Sequence, residues 1–323
     1  MSPVPEAGSP PVVVISGPTA AGKSALGLRL ALRFGAEIVN ADSMQVYRYM
    51  DIGTAKPSPE ERARVPHHLI DVVTPDVAYN AGRYTTDARA AEARIRARGR
   101  RVLLVGGTGL YLRAFLEGLA TQVPADPELR RALEEEHARA VRAGDEGRLH
   151  RRLAAVDAET AARLHPRDRV RIVRALELFE ATGERPSELH RAGRRASPVY
   201  RALQLVVDPG RETLARRIDA RCESMLARGL LQEVRRLRER GYGPELPAMR
   251  AIGYRHMQPV IDGHDTLAHV LELMKRDTRQ FARRQRTWWR AVPDAVWVHP
   301  DAEACIEARI AAFLEETEAG RGD

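Results

Sequence analysis

Gly17-Pro18-Thr19-Ala20-Ala21-Gly22-Lys23-Ser24 is a complete GxxxxGKS loop, set between the apolar run Pro11–Ser16 and a helical pattern. Gly17 and Gly22 let the backbone turn so that successive N–H groups point inward, and the helix that follows adds its positive N-terminal end. Lys23 would reach the terminal phosphates and Ser24 would hold Mg²⁺. The chemistry this spacing serves is the grip of a diphosphate or triphosphate.

Asp42 stands at the tip of the strand that follows the loop helix. The strand Val102–Val105 ends in Gly-Gly-Thr, with no acid where a Walker B aspartate would stand. Asp42 can therefore face an acceptor as a general base, or simply cap the next turn. Gly106-Gly107-Thr108 supplies amides and one hydroxyl at the same sheet edge, suited to a diphosphate or an amino group, although Gly-Gly pairs also merely turn a chain. Arg217 and Arg221 share a helix face at i, i+4 and would clamp phosphate oxygens, or, with Asp219 and Glu223 nearby, form a solvated surface. Lys275, Arg276, Arg279, Arg283, Arg284, Arg286 and Arg290 form a basic ridge interrupted by one acid, Asp277. That imbalance favours a phosphate backbone as partner. Trp288 and Trp289 offer stacking surfaces, at least one of them core, and His67-His68 reads as loop or packing because no further metal ligand has suitable spacing.

The elements around these residues alternate. A helix from Ala25 to Phe34, a strand from Ala36 to Asp42, a helix from Ala88 to Arg100 and the strand Arg101–Val105 indicate α/β units. They predict a P-loop NTPase-like, doubly wound parallel sheet with its ligand at the C-terminal strand ends. From Ala125 the pattern turns to charged, Ala- and Leu-rich helices, and the sheet resumes at Tyr200–Asp208. The expected plan is a flexible leader over 1–11, a core over 12–124 and 197–323 with basic C-terminal helices, and an all-helical insertion over 125–196. The acidic run from Glu315 is expected to fray.

At 323 residues the chain can bury a full core and exceeds the usual single-domain range. A net charge of +8, from 52 Lys and Arg against 44 Asp and Glu, suits an acidic partner. The 2 cysteines, Cys222 and Cys305, give no disulfide framework and no CxxC zinc element, so a reducing cytoplasm is expected. No apolar stretch approaches a membrane span, and the first ten residues lack the features of a signal peptide.

Taken together, GPTAAGKS (17–24), NADSMQVY (40–47), MDIGTAKP (50–57), PHHLID (66–71) and VGGTGLY (105–111) resemble the tRNA dimethylallyltransferase family in its bacterial form. Arg174-Ala175-Leu176-Glu177, Arg250–Arg255 and Thr278-Arg279-Gln280 through Thr287-Trp288 extend the likeness over about residues 12 to 300. The zinc-finger extensions of eukaryotic relatives are absent, so tRNA recognition without zinc is expected.

The resemblance implies transfer of a dimethylallyl group from dimethylallyl diphosphate to N6 of the adenosine 3′ of certain tRNA anticodons. It implies that Gly17, Pro18, Thr19, Ala20, Ala21, Gly22, Lys23 and Ser24 bind the diphosphate with Mg²⁺, and that Arg217 and Arg221 support them. Asp42 would accept the N6 proton, Thr108 would orient the amine, and Lys23 and Arg217 would act in catalysis. Contacts to the tRNA anticodon stem-loop are implied for Asp42, Ser43, Met44, Gln45, Thr108, Arg130, Val170, Arg171, Ile172, Val173 and Arg174. They are also implied for Arg250, Ala251, Ile252, Gly253, Tyr254, Arg255, Arg283, Arg284, Gln285, Arg286, Thr287, Trp288, Trp289 and Arg290. A monomer without membrane contact is expected. The competing readings are a small-molecule or nucleotide kinase, a prenyltransferase of free adenine nucleotides, and an RNA-binding GTP switch; the last is opposed by the lack of an NKxD motif.

Overall fold

Apolar runs too short for helices and bounded by turn residues make the strands, and burial on both sheet faces explains why they do not alternate. The computed structural model describes residues 9–119, 121, 123–124, 126–193 and 199–319. Its sheet comprises β1 (Pro11–Ser16), β2 (Ala36–Asn40), β3 (His67–His68), β4 (Arg101–Val105), β5 (Arg201–Val207) and β6 (Val296–Val298). Their order is β3-β2-β4-β1-β5-β6, and every pairing is parallel. The chain winds outward in both directions from β1, which pairs with β4 on one side and β5 on the other. A crevice at their C-terminal ends is where such a sheet binds ligands.

Two of these strands carry no strand pattern in the sequence. His67-His68 is an edge strand, not a loop, with His67 in register with Ile38 and the His68 imidazole 2.7 Å from Glu37 Oε2. Val296–Val298 is too short to carry a pattern and gains its partners from β5. Pro11 already belongs to β1, while most of the expected leader, residues 1–8, lies outside the described residues. The acidic end is also not frayed as far as it is described. A helix covers Glu303–Ala319, burying Ile306, Ile310 and Leu314 at i, i+4 spacing.

The contacts divide the chain into Met1–Leu116 with Pro198–Asp323, and Glu117–Ser197. In the first unit the sheet is packed with helices including Lys23–Phe34, Ala81–Ala97, Arg211–Ala227 and Leu267–Arg290. The second unit consists of helices Pro127–Arg142, Arg148–Val156, Ala158–Ala162, Arg169–Thr182 and Pro186–Gly193 around Leu133, Leu149, Leu153, Ile172, Val173 and Leu176. Its first helix starts by a local rule: Asp126 accepts the N–H groups of Glu128 and Leu129, and Pro127 occupies the first turn.

Candidate active site

The loop after β1 is fixed by its glycines. Gly17 has φ 134° and lies so close to the Val207 carbonyl that a Cβ could not fit. Gly22, at φ 99°, opens the helix Lys23–Phe34 without a side-chain cap, and that first turn holds no acid. Its leading amides therefore remain available to an anion, reinforced by the helix dipole.

Cations converge on this loop. Lys23 donates to the Pro18 carbonyl at 2.6 Å, and burial lowers its pKa to about 8, with Asp42 opposing and Arg221 assisting that shift. From the helix Arg211–Ala227, Arg217 reaches the Ala21 carbonyl at 3.4 Å and Arg221 reaches the Thr54 carbonyl at 3.5 Å. Burial also lowers the Arg221 pKa, while the charge of Asp42 raises it. Neither arginine is freely solvated: both are only partly exposed, Arg217 against the phosphate loop and Arg221 against the 50–57 segment and the cavity beside it.

Asp42 follows β2 by two residues instead of ending it. Its Oδ1 accepts the Met44 N–H at 2.8 Å, which fixes the carboxylate through a local turn. Thr108 braces the same turn, since its Oγ1 accepts from Ser43 N at 2.9 Å and donates to Ser43 Oγ, while its own N–H donates to the Ala41 carbonyl. One Thr108 lone pair is left for an incoming amine. Thr19, Lys23, Ser24, Asp42 and Arg221 line a single cavity with Asn40, Gln45, Gly107, Phe281 and Gln285. Ile38, Ala55, Pro57 and Val105 give that cavity an apolar wall.

Several expected tRNA contacts point inward. Gln45 is buried and donates to the Thr54 and Ala55 carbonyls, and Gln285 is buried against Thr19 and Gly107. Tyr254 is buried with its hydroxyl on Glu233, Gly253 is buried at the start of the helix Tyr254–Ile261, and Trp289 is 2% exposed. Ile172 and Val173 belong to the core of the second unit. Helical periodicity is the reason: in any contiguous run some residues must face the core. Arg130 and Arg174 both pair with the buried Glu177, Arg255 pairs with Asp277, and Arg286 pairs with Asp208 at 2.8 Å. Ala251 and Ile252 are half-buried, and Trp288 is partly covered with Arg113 stacked 4.8 Å from its ring centre. Val170, Arg171, Arg250, Arg283, Arg284, Thr287 and Arg290 are exposed.

Other residues at the site had no role assigned from the sequence. Glu233 reaches the 50–57 loop from 180 residues away, and Asn40 holds the Leu69 carbonyl at 3.1 Å. Phe281 lines the cavity although 38% exposed, and His67 lines it with Nδ1 against the Val65 carbonyl. Burial lowers the His67 pKa, favouring a neutral ring.

Among the described residues no three His, Cys, Asp or Glu side chains cluster as a metal cage. The exposed hydroxyl of Ser24 at the helix start nevertheless suits Mg²⁺, which takes few protein ligands when phosphate oxygens complete its shell.

Residues 45–292 match the family described as IPP transferase, and residues 10–72 match that described as isopentenyl transferase. The tRNA dimethylallyltransferase of Geobacter metallireducens is 52% identical over 289 residues, spanning 89% of this chain and 92% of that protein. That of Desulfosudis oleivorans is 50% identical over 291 residues, spanning 90% and 91%. Among solved structures, the full-length tRNA isopentenylpyrophosphate transferase of Bacillus halodurans superposes with TM-score 0.70 at 35% identity, covering 97% of this chain and 99% of that one. A eukaryotic dimethylallyltransferase acting on tRNA gives TM-score 0.78 at 30% identity, covering 93% of this chain and 78% of that one.

Proposed function

The chain belongs to the IPP transferase family of tRNA dimethylallyltransferases, and from that premise we propose how its residues move a dimethylallyl group onto a tRNA adenosine. The donor is dimethylallyl diphosphate, and the acceptor is N6 of the adenosine immediately 3′ of the anticodon. The observation that carries the reading is the single cavity in which Asp42, Lys23, Ser24 and Arg221 meet. The phosphate loop faces a base and an apolar wall there, and β4 ends without an acid.

An exocyclic adenine amine is a weak nucleophile, so the allylic carbon must become electrophilic as diphosphate departs. The uncapped amides at the start of the helix Lys23–Phe34, with the side chains of Lys23, Arg217 and Arg221, neutralise the charge that grows on the leaving oxygen. Ser24 would hold Mg²⁺, which would add charge neutralisation at the departing diphosphate. N6 forms its bond to the allylic carbon as the carbon–oxygen bond breaks, the electron pair leaving on diphosphate. The N6 proton passes to Asp42, while Thr108 accepts from the amine and keeps the Asp42 turn in place.

The adenine leaves its loop stack to enter the cavity, which costs a few kcal/mol and is cheapest in an unpaired loop. Exposed Arg250, Arg283, Arg284 and Arg290 in the first unit, and Val170 and Arg171 in the second, offer contacts to offset that cost. No helix of the described residues is long and apolar enough to cross a membrane. Both cysteines are free, as suits a reducing cytoplasm.

Incubation with labelled dimethylallyl diphosphate and tRNA, AMP or ATP tests the reading. Label is expected in tRNA; label in AMP alone, or phosphoryl transfer from ATP, overturns it.

A further inference from the structure

Gln285 lies on the inward face of the helix Leu267–Arg290, whose outward positions carry Arg283, Arg284, Thr287 and Arg290. Its carboxamide is used at both ends. Oε1 accepts the main-chain N–H of Thr19 at 2.8 Å, and Nε2 donates to the Gly107 carbonyl at 2.9 Å. One buried side chain thus bridges the phosphate loop and the turn after β4, segments that meet only through the fold.

Both ends of that bridge matter to the reaction. The Thr19 amide is committed to Gln285 and the Ala21 amide to the Pro18 carbonyl, so the loop is anchored while the uncapped amides at the start of the helix Lys23–Phe34 remain for the anion. Gly107 adjoins Thr108, which braces Ser43 and thereby the turn bearing Asp42. The fit leaves no slack: a Cβ at Gly107 would stand 2.6 Å from Gln285 Nε2 and 3.6 Å from Lys23 Nζ. Only a group with both a donor and an acceptor on one planar head satisfies this site.

We propose that Gln285 is a positioning residue for the transfer, setting the spacing between the diphosphate cradle and the Asp42 turn, and that it does not touch tRNA. The proposal rests on the reading of the cavity as a dimethylallyl diphosphate site. Gln285 acts through Thr19 and Gly107, so its removal loosens the leaving-group side and leaves the tRNA-facing arginines in place.

The test measures three quantities for the full chain: inorganic diphosphate affinity by calorimetry without tRNA, tRNA affinity by filter binding, and KM and kcat for dimethylallyl diphosphate. Gln285→Leu removes both hydrogen bonds and should weaken diphosphate binding and raise KM by about tenfold, with tRNA affinity unchanged. Gln285→Glu keeps an acceptor for Thr19 but sets a carboxylate against the Gly107 carbonyl, so its loss should be at least as large; it carries the test if the leucine variant does not fold. Wild-type diphosphate affinity in either folded variant, or a fall in tRNA affinity alone, overturns the proposal. Failure of the wild-type protein to bind diphosphate or dimethylallyl diphosphate would instead remove the functional reading beneath it.

Discussion

Tyr254 donates its hydroxyl to Glu233 at 2.7 Å, and both side chains are buried. The same carboxylate accepts the N–H groups of Asp51, Ile52 and Gly53 at 3.1, 2.8 and 3.3 Å, so the MDIGTAKP segment folds as a nest around an internal anion. Gly53 is required because a Cβ would meet the Tyr254 ring at 2.5 Å. The loop then presents the Thr54 carbonyl to Gln45 and to Arg221. Glu233 and Tyr254 thereby position Arg221, a cation of the proposed diphosphate site, without lining its cavity.

Tyr254→Phe leaves the nest's amides in place and removes one hydrogen bond to a charged group, a loss of roughly 1.5–3 kcal/mol. Chemical denaturation should show that loss, while filter binding should show unchanged tRNA affinity. The opposite pattern, intact stability with weakened tRNA binding, would return Tyr254 to the tRNA-contacting surface.

The lowered pKa of Lys23, about 8 against an ordinary 10.5, makes a two-part pH prediction. Between those values the unfolded chain holds a proton that the native state has released, so this residue's contribution to stability rises with pH; below about 8 the native state bears the full cost of a desolvated ammonium. Lys23→Met should therefore raise the thermal midpoint of the ligand-free protein at neutral pH while abolishing most turnover. Diphosphate affinity should move the other way in the wild type, falling as pH rises past about 8, and should lose that dependence in the variant. Calorimetric titrations across this range decide it; a flat wild-type profile would detach Lys23 from the diphosphate.

The phosphate loop, the parallel sheet and Asp42 were legible because their signals are local: glycine spacing, apolar runs and a carboxylate at a strand tip. What was not legible depends on register and on long-range pairing. Glu233 looks like any acid of an amphipathic helix until three amides of the 50–57 loop arrive against it. Gln285 sits in a strongly basic stretch, and only the helical phase turns it inward beside Trp289 while Arg283 and Arg284 turn out. The same phase divides Ile172 and Val173, which fill the second unit's core, from Val170 and Arg171, which are exposed.

Asp42→Asn separates base chemistry from architecture. Asparagine retains an oxygen for the Met44 N–H, so the turn should persist, but it cannot take the N6 proton. Single-turnover transfer should fall by about 10²–10⁴-fold, the usual worth of a positioned base, with tRNA and diphosphate affinities preserved. Near-normal transfer by the variant would move the proton acceptor elsewhere.

Arg283 and Arg286 lie three positions apart on one helix yet should respond differently to removal. The Arg283 side chain is exposed and has no hydrogen bond or ion pair to a described residue, whereas Arg286 is ion-paired with Asp208, whose side chain is 9% exposed. If Arg283 meets a tRNA phosphate, Arg283→Ala releases about one counterion fewer on binding, and the log–log salt slope for tRNA should shrink by roughly 0.7–0.9. Arg286→Ala strands the Asp208 carboxylate beside Val207, the residue against which Gly17 of the phosphate loop packs. Its main effect should be a stability loss on the order of 1–3 kcal/mol, since removing one partner of a partly buried pair leaves the other charge with fewer partners, with the salt slope unchanged. Measuring both quantities for both variants makes each the other's control, and equal slopes with equal stabilities would leave neither assignment standing.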